Sequence, residues 1–216
     1  HLYIAGADIS SLGYLKGKSY GLSYSTCSAC LKKAPNLPRP TGAIVASRFS
    51  DMYYGFYSYE ADDVAIVGNV YADNIIYGID PHDRSRRLII AENEAYGSKK
   101  KHGIIVSREV NDSWIFNNHA HNNHGSGIMI DRTSVNNIIA NNISIDNGAD
   151  GITFFESQNS TTYNNTVLNN KRSGIRIRNS WNVKLVGDQI AGNNGPAVDI
   201  YTAALEGQET RDFELD

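Results

Sequence analysis

The chain is a string of short apolar runs, none long enough for a helix. Val64-Ala65-Ile66-Val67, Leu88-Ile89-Ile90 and Val183-Lys184-Leu185-Val186 are rich in β-branched residues and bounded by Asn, Asp or Gly, a composition that predicts strands. The runs recur in phase. A glycine followed by an apolar residue returns at Gly55-Phe56, Gly78-Ile79, Gly103-Ile104, Gly127-Ile128, Gly151-Ile152 and Gly174-Ile175, at intervals of 23 to 25 residues. Gly21-Leu22 is an earlier copy and Ala197-Val198 a degraded later one. Two polar columns keep the same period, one at Asn69, Asn93, Asn118, Asn142, Asn165 and Asp188, the other at Asn74, Ser98, Asn123, Asn147, Asn170 and Asn193. Asn tolerates left-handed backbone, and its amide both donates and accepts, so stacked copies can hydrogen-bond along a turn.

Self-similarity at this period signals a solenoid, and helical repeats would need periodic stretches of roughly 10 residues that do not occur. The pattern predicts an all-β fold, a right-handed parallel β-helix of about 24 residues per coil, with three short strands per coil feeding three parallel sheets. The interval between Gly21 and Gly55 is longer and holds Cys27, Cys30 and Pro38-Arg39-Pro40, which predicts a loop inserted around 25–42. One domain over 1–216 is expected. The strand-like opening His1-Leu2-Tyr3-Ile4, with no signal sequence, reads as the mature core or a fragment of a longer protein.

Alternation with a period of two sets the facing of each residue after the glycine. The first and third positions are apolar in nearly every coil and face the core, as in Ile104 and Val106 or Ile128 and Ile130. The second column, Tyr57, Asp80, Ile105, Met129, Thr153 and Arg176, and the fourth, Tyr59, His82, Ser107, Asp131, Phe155 and Arg178, face out. A fifth, at the strand end, runs Glu60, Asp83, Arg108, Arg132, Glu156 and Asn179. Pro81 breaks the rule: it occupies an inward strand position yet lacks a ladder donor. Positions that break a local rule tend to be functional or strained.

Composition narrows the partners. Hydrophobic residues are 41% and charged residues 20% of the chain, with a net charge of −3, which argues against nucleic acid bound through overall basicity. No apolar run reaches the length of a membrane span. Basic residues cluster at Arg84, Arg86, Arg87, Lys99, Lys100, Lys101, Arg108 and Arg132, and again at Lys171, Arg172, Arg176 and Arg178, an arrangement suited either to a polyanion or to a solvated face. Cys27 and Cys30 lack the βαβ context of a redox site and make only half of a zinc site, leaving a local disulfide or two free thiols. His119, His121 and His124 lie near one turn, but no carboxylate or Cys in the sequence pattern completes a metal set, and polar ladder residues are expected there. Asp131, Asp150 and Glu156 have Arg132 and Arg178 as neighbours, which opposes a calcium cage.

Tyr77-Gly78-Ile79-Asp80-Pro81-His82-Asp83, followed by Lys100-Lys101-His102-Gly103-Ile104-Ile105 and Ser107-Arg108-Glu109-Val110-Asn111-Asp112-Ser113, closely resembles the mannuronan C5-epimerases of the calcium-independent type. Ser50 to Tyr57 and Asp131-Arg132 with Ser134 to Asn137 extend the likeness, which covers about residues 45 to 185. The resemblance implies conversion of mannuronate to guluronate in polymeric alginate without a cofactor or metal, in the periplasm or as a secreted or cell-wall protein. Further components of an alginate synthesis or secretion machinery are its expected partners. It implies His82 as base and Arg108 as partner of the substrate carboxylate. The residues themselves agree, because a proton taken next to a carboxylate needs a neutral imidazole and a fixed guanidinium. Asp80 and Asp83 orient the ring, raise its basicity or bind sugar hydroxyls. Water, Tyr59 or Tyr77 returns the proton. Lys99, Lys100, Lys101, Ser107, Asp131, Arg132 and Arg178 are candidates for holding flanking sugars. A polyuronate lyase shares the first chemical step, and a non-catalytic alginate-binding solenoid would need no His82.

Overall fold

The structure, a computed structural model, describes residues 1–15, 19–202 and 211–215; the rest of the expected 1–216 domain lies outside the described residues. Each coil gives one strand to each of three sheets. Among the described residues the first sheet stacks nine strands, from Leu2–Ala5 to Arg211–Leu215, the second eight, from Asp8–Ser10 to Gln189–Ala191, and the third eight, from Gly21–Ser25 to Val198–Tyr201. Every strand pairs in parallel with the strand one coil away, as in Ile104–Ser107 with Ile128–Asp131, and the coils wind right-handed, the hand expected of parallel crossovers.

The inward columns stack like on like. Ile104, Ile128, Ile152 and Ile175 are successive register partners, as are Val106, Ile130, Phe154 and Ile177. The first sheet adds Ile66, Ile90, Ile115 and Ile139, and all are buried. Burying such a side chain contributes about 1.5–3 kcal/mol, and no single coil could bury its own.

Polar ladders close the corners. Asn142 accepts hydrogen bonds from the backbone N–H and the amide of Asn118, and its own amide donates to the Ile115 carbonyl and to Asn165 Oδ1, all within 2.9–3.0 Å. The second column does the same from Asn123 to Asn193. The left-handed residue is not the ladder Asn but the one before it: Asn117 (φ 55), Asn141 (φ 53) and Asn164 (φ 50) precede the first column, and Asn122 (φ 52), Asp146 (φ 55) and Asn169 (φ 55) the second. The reason is geometric, since the corner must bend before the amide can point along the stack. The recurring glycine belongs to the same device. A Cβ on Gly103 would stand 2.6 Å from the Asn123 amide nitrogen and 3.0 Å from the Gly127 carbonyl oxygen. A third corner uses serine: Ser85, Ser134 and Ser180 accept from the N–H groups of Ala61, Val110 and Ser157 one coil earlier.

The inserted loop is partly helical, over Ser28–Lys33, and Cys27 is disulfide-bonded to Cys30. Of the two open readings for these cysteines, the structure has the local disulfide.

Replacing Asn142 with Ala leaves a buried carbonyl and a buried N–H without partners, each costing about 1–3 kcal/mol. Urea unfolding of Asn142→Ala should therefore show a loss of about 2–6 kcal/mol, whereas a change at exposed Asn141 should cost well under half of that.

Candidate active site

Strand Tyr77–His82 lies in the third sheet between Tyr54–Tyr59 and Ile104–Ser107. Tyr57 faces Asp80, Ser58 faces Pro81 and Tyr59 faces His82 on one side; Ser107 faces His82 on the other. Pro81 is buried, and the pairing with Ile104–Ser107 holds at Ile79 and His82 but lapses between them, where the proline has no N–H to give. The chain then turns through Asp83 (φ 36) and Arg84 (φ 59). The same left-handed corner recurs at Arg108 (φ 60) and Arg132 (φ 41), so the fifth column of the repeat is a stack of corners rather than of strand ends. It sets Asp83, Arg108 and Arg132 in line at the rim of the sheet.

Two adjoining hollows of about 620 and 220 Å³ share Tyr20, Tyr57, His82 and Arg108. The larger adds Ser23, Ser25, Thr26, Tyr59 and Asp83; the smaller adds Tyr54, Tyr77, Asp80, Ile105, Ser107 and Arg132. Eight of the expected residues, His82, Arg108, Asp80, Asp83, Tyr77, Tyr59, Ser107 and Arg132, thus line one cleft. Asp131 sits behind it, 2% exposed. Its Oδ2 accepts from Ser107 Oγ at 2.6 Å and from Arg132 Nε at 2.7 Å, so its contacts are with cleft residues.

The remaining basic residues stand elsewhere. Lys99 pairs with Asp51 at 2.9 Å; Lys100 and Lys101 are exposed in the turn before Ile104–Ser107. Arg178 lies over the rings of Phe155 and Tyr201 and lines a separate hollow with Arg172 and Arg176. The Arg84, Arg86 and Arg87 run is neutralised by Glu60, Asp62 and Asp63 of the preceding coil. Arg108 differs: its exposed guanidinium makes no hydrogen bond or salt bridge among the described residues.

The two acids flanking His82 separate in role. Asp83 Oδ2 is 2.5 Å from His82 Nδ1. A carboxylate accepts, so Nδ1 carries the proton and Nε2 keeps the lone pair. Burial lowers the His82 pKa below the usual histidine value, Asp83 partly opposes this, and Arg108 and Arg132 add to the lowering. The imidazole is therefore neutral at neutral pH. Asp80 is 1% exposed, and its Oδ1 has no hydrogen-bond partner among the described residues. Burial raises its carboxyl well above the usual range, and the charges of Asp131 and Asp83 raise it further. Asp80 therefore holds a proton more readily than an ordinary carboxyl, and in its protonated form it can donate.

Sequence reasoning missed the aromatic wall. Tyr20 stacks on Tyr57 at 4.2 Å and on Tyr54 at 5.1 Å, Tyr54 meets Tyr77 edge-on at 5.2 Å, and Tyr57 lies 5.6 Å from the His82 ring. Burial, then the charge of Asp80, raises the pKa of Tyr54, Tyr57 and Tyr77, so all three keep their protons. Tyr57 was visible in an outward column, whereas Tyr20, Tyr54 and Tyr77 each stand directly before a recurring glycine, a column outside the five positions whose facing was read. His102 backs Tyr77 in a stack at 5.8 Å. Its Nδ1 accepts from the Ser126 N–H, and burial lowers its pKa to about 4. A correction concerns the second sheet, where Glu94 joins His119 and His121. The expected lack of a carboxylate fails because the acid comes from the preceding coil; His124 is not in the group.

Residues 39–206 match the family model described as the right handed beta helix region, and the chain belongs to that family. Within it, the chain is similar to a mannuronan C5-epimerase of Pseudomonas putida, with 52% identity over 99% of this chain and 41% of that protein. It is also similar to the mannuronan C5-epimerase AlgG of Azotobacter vinelandii, with 51% identity over the same shares. A crystal structure of a double mutant of the periplasmic alginate epimerase AlgG superposes with a TM-score of 0.92 and 50% identity, over 95% of this chain and 49% of that one. The chain spans about two fifths of the length of the curated relatives it matches.

Titrating His82 by nitrogen-15 NMR should give a midpoint below the ordinary 6.5. Asp83 holds the midpoint up, so Asp83→Asn should move it lower still; a rise in that variant would contradict the pairing.

Proposed function

We propose that this chain carries the catalytic surface of a mannuronan C5-epimerase, converting β-D-mannuronate to α-L-guluronate within polymeric alginate. The observation that carries the reading is the His82–Asp83 pair beside the unpaired Arg108 in one cleft. The names of the relatives support the same substrate. Nε2 of His82 takes the C5 proton while Asp83 holds the ring in the required tautomer. Charge then moves onto the sugar carboxylate. Arg108 is free to pair with that carboxylate, and Arg132, held by Asp131, stands ready beside it. Asp80, whose Oδ1 has no hydrogen-bond partner among the described residues, is suited in its protonated form to donate to a carboxylate oxygen as its charge grows. The cleft offers two sources for the returning proton, the Tyr77 hydroxyl and water. Tyr59, Ser107 and the outer tyrosines bind sugar rings, while Lys99, Lys100, Lys101 and Arg178 serve only sugars bound beyond the cleft.

The relatives include a periplasmic enzyme, and the Cys27–Cys30 disulfide fits an oxidising compartment. No helix among the described residues is long and apolar enough to cross a membrane. A periplasmic location, within a machinery that makes or exports alginate, is part of the same proposal.

Polymannuronate incubated with the protein in deuterium oxide and followed by proton NMR should gain guluronate carrying deuterium at C5, and His82→Asn should abolish this while still binding polymer. Unsaturated chain ends would point to a lyase instead, and binding without any reaction to a binding solenoid. Arg108→Ala should lower the rate by at least about 10²-fold, and a loss below threefold would remove Arg108 from its assigned role. Tyr77→Phe tests the donor: a rate within a few-fold of the parent assigns the proton to water, and a collapse assigns it to Tyr77.

A further inference from the structure

The outer face of the second sheet carries a cluster that the cleft does not use. Glu94 and His119 are register partners on the adjacent strands Glu94–Tyr96 and His119–His121. His121 follows His119 by two residues, so alternation sets both imidazoles on one face. One donor atom from each of Glu94, His119 and His121 lies within 4.8 Å of the other two. His121 Nε2 is 3.1 Å from Glu94 Oε1, and the two imidazole centroids are 4.3 Å apart. His119 Nε2 is shielded from solvent and has no hydrogen-bond partner among the described residues. A shielded nitrogen without a partner is costly unless something else occupies its lone pair.

The ring of His121 is held from two sides. Its face stacks on Tyr96 at 5.1 Å, and its Nδ1 meets the Asn122 side-chain amide at 2.9 Å. Turning that amide over presents its oxygen to Nδ1–H and leaves Nε2 free as a ligand, the usual support for a metal-bound histidine.

We propose that Glu94, His119 and His121 bind one divalent transition-metal ion, zinc being the best fit, as a clip between two adjacent coils. Two imidazoles and one carboxylate are a zinc ligand set when the fourth position is left to water. Bonds of about 2.0–2.1 Å in a tetrahedron put ligand atoms roughly 3.3 Å apart, close to the 3.1 Å between Glu94 Oε1 and His121 Nε2. Calcium is a poor match, because it takes about six to eight oxygen ligands. Copper and nickel share the nitrogen preference and would compete. The site depends on the register of the solenoid and not on the reaction proposed for the cleft.

The test is calorimetric titration of the whole chain with zinc chloride. One zinc per chain should bind with a micromolar or tighter dissociation constant. Glu94→Gln and His121→Gln should each weaken it by at least about tenfold, while His82→Asn and His124→Ala leave it intact. Cobalt(II) should give the intense visible bands of a four-coordinate ion in the parent chain and lose them in both ligand variants. Both variants alter an outer face, and their metal-free melting temperatures should match the parent's. If either fails to fold, nitrogen-15 shifts of His119 and His121 on zinc addition to the parent chain replace it as the readout. No saturable zinc binding, binding that survives both ligand substitutions, or binding lost with His82 or His124 would each overturn the proposal.

Discussion

The side-chain amide stacked between coils is the interaction on which the rest of this structure depends. A strand in a parallel sheet can slide along its neighbour, and a slip of one residue would turn every core isoleucine outward. The Asn and Ser corners forbid the slip, because each amide or hydroxyl must meet one particular backbone group one coil away. The bonds are buried, so a misplaced corner loses them without recovering water. Gly55, Gly103, Gly127, Gly151 and Gly174, at the start of third-sheet strands, give the second ladder room to pass. Core, corner and glycine form one mechanical unit repeated along the axis.

That unit builds the cleft as directly as it builds the core. His82, Arg108 and Arg132 come from three successive coils and never meet within one. Their alignment follows from the register Ile79–Ile104–Ile128, which brings the corner after each strand over the corner before it. The left-handed turn at Asp83 is a strained position for a residue with a side chain. Asp83 and His82 emerge from it side by side, in hydrogen-bond contact.

The charges fall into two groups with different physical roles. Arg84 and Arg86 each meet a buried acid one coil earlier, Glu60 and Asp62, whose charge would otherwise be left uncompensated, while the exposed Arg87–Asp63 pair contributes little. Around the cleft, charge is instead left unbalanced. Among the described residues Arg108 has no salt-bridge partner, burial raises the pKa of Asp80, and burial lowers that of His82 against the pull of Asp83. The tyrosines lower the local polarity that keeps these states in place, and residues of the inserted segment such as Thr26 close one wall.

The sequence by itself determined the coil: the period, the three strands, the inward and outward columns, the inserted loop and the Asn ladders are all local or periodic properties of residue type. The period also placed His82, Arg108, Asp80 and Asp83 on neighbouring columns of one face, and the resemblance carried by Asp80-Pro81-His82-Asp83 singled them out. The tertiary structure decided what no period encodes. Burial divided the two acids, leaving Asp83 on the histidine ring and Asp80 shielded. The curvature of the corners placed Asp131 behind Arg132. Tyr20, from the earliest copy of the repeat, reached the cleft by stacking on Tyr54 and Tyr57 of the next coil in the third sheet, and the basic run at Arg84 became structural once its acids were in place. Glu94 met His119 and His121 across coils for the same reason. Periodicity specifies the column and face of a side chain, while its contacts depend on neighbours one coil away and on segments that do not repeat.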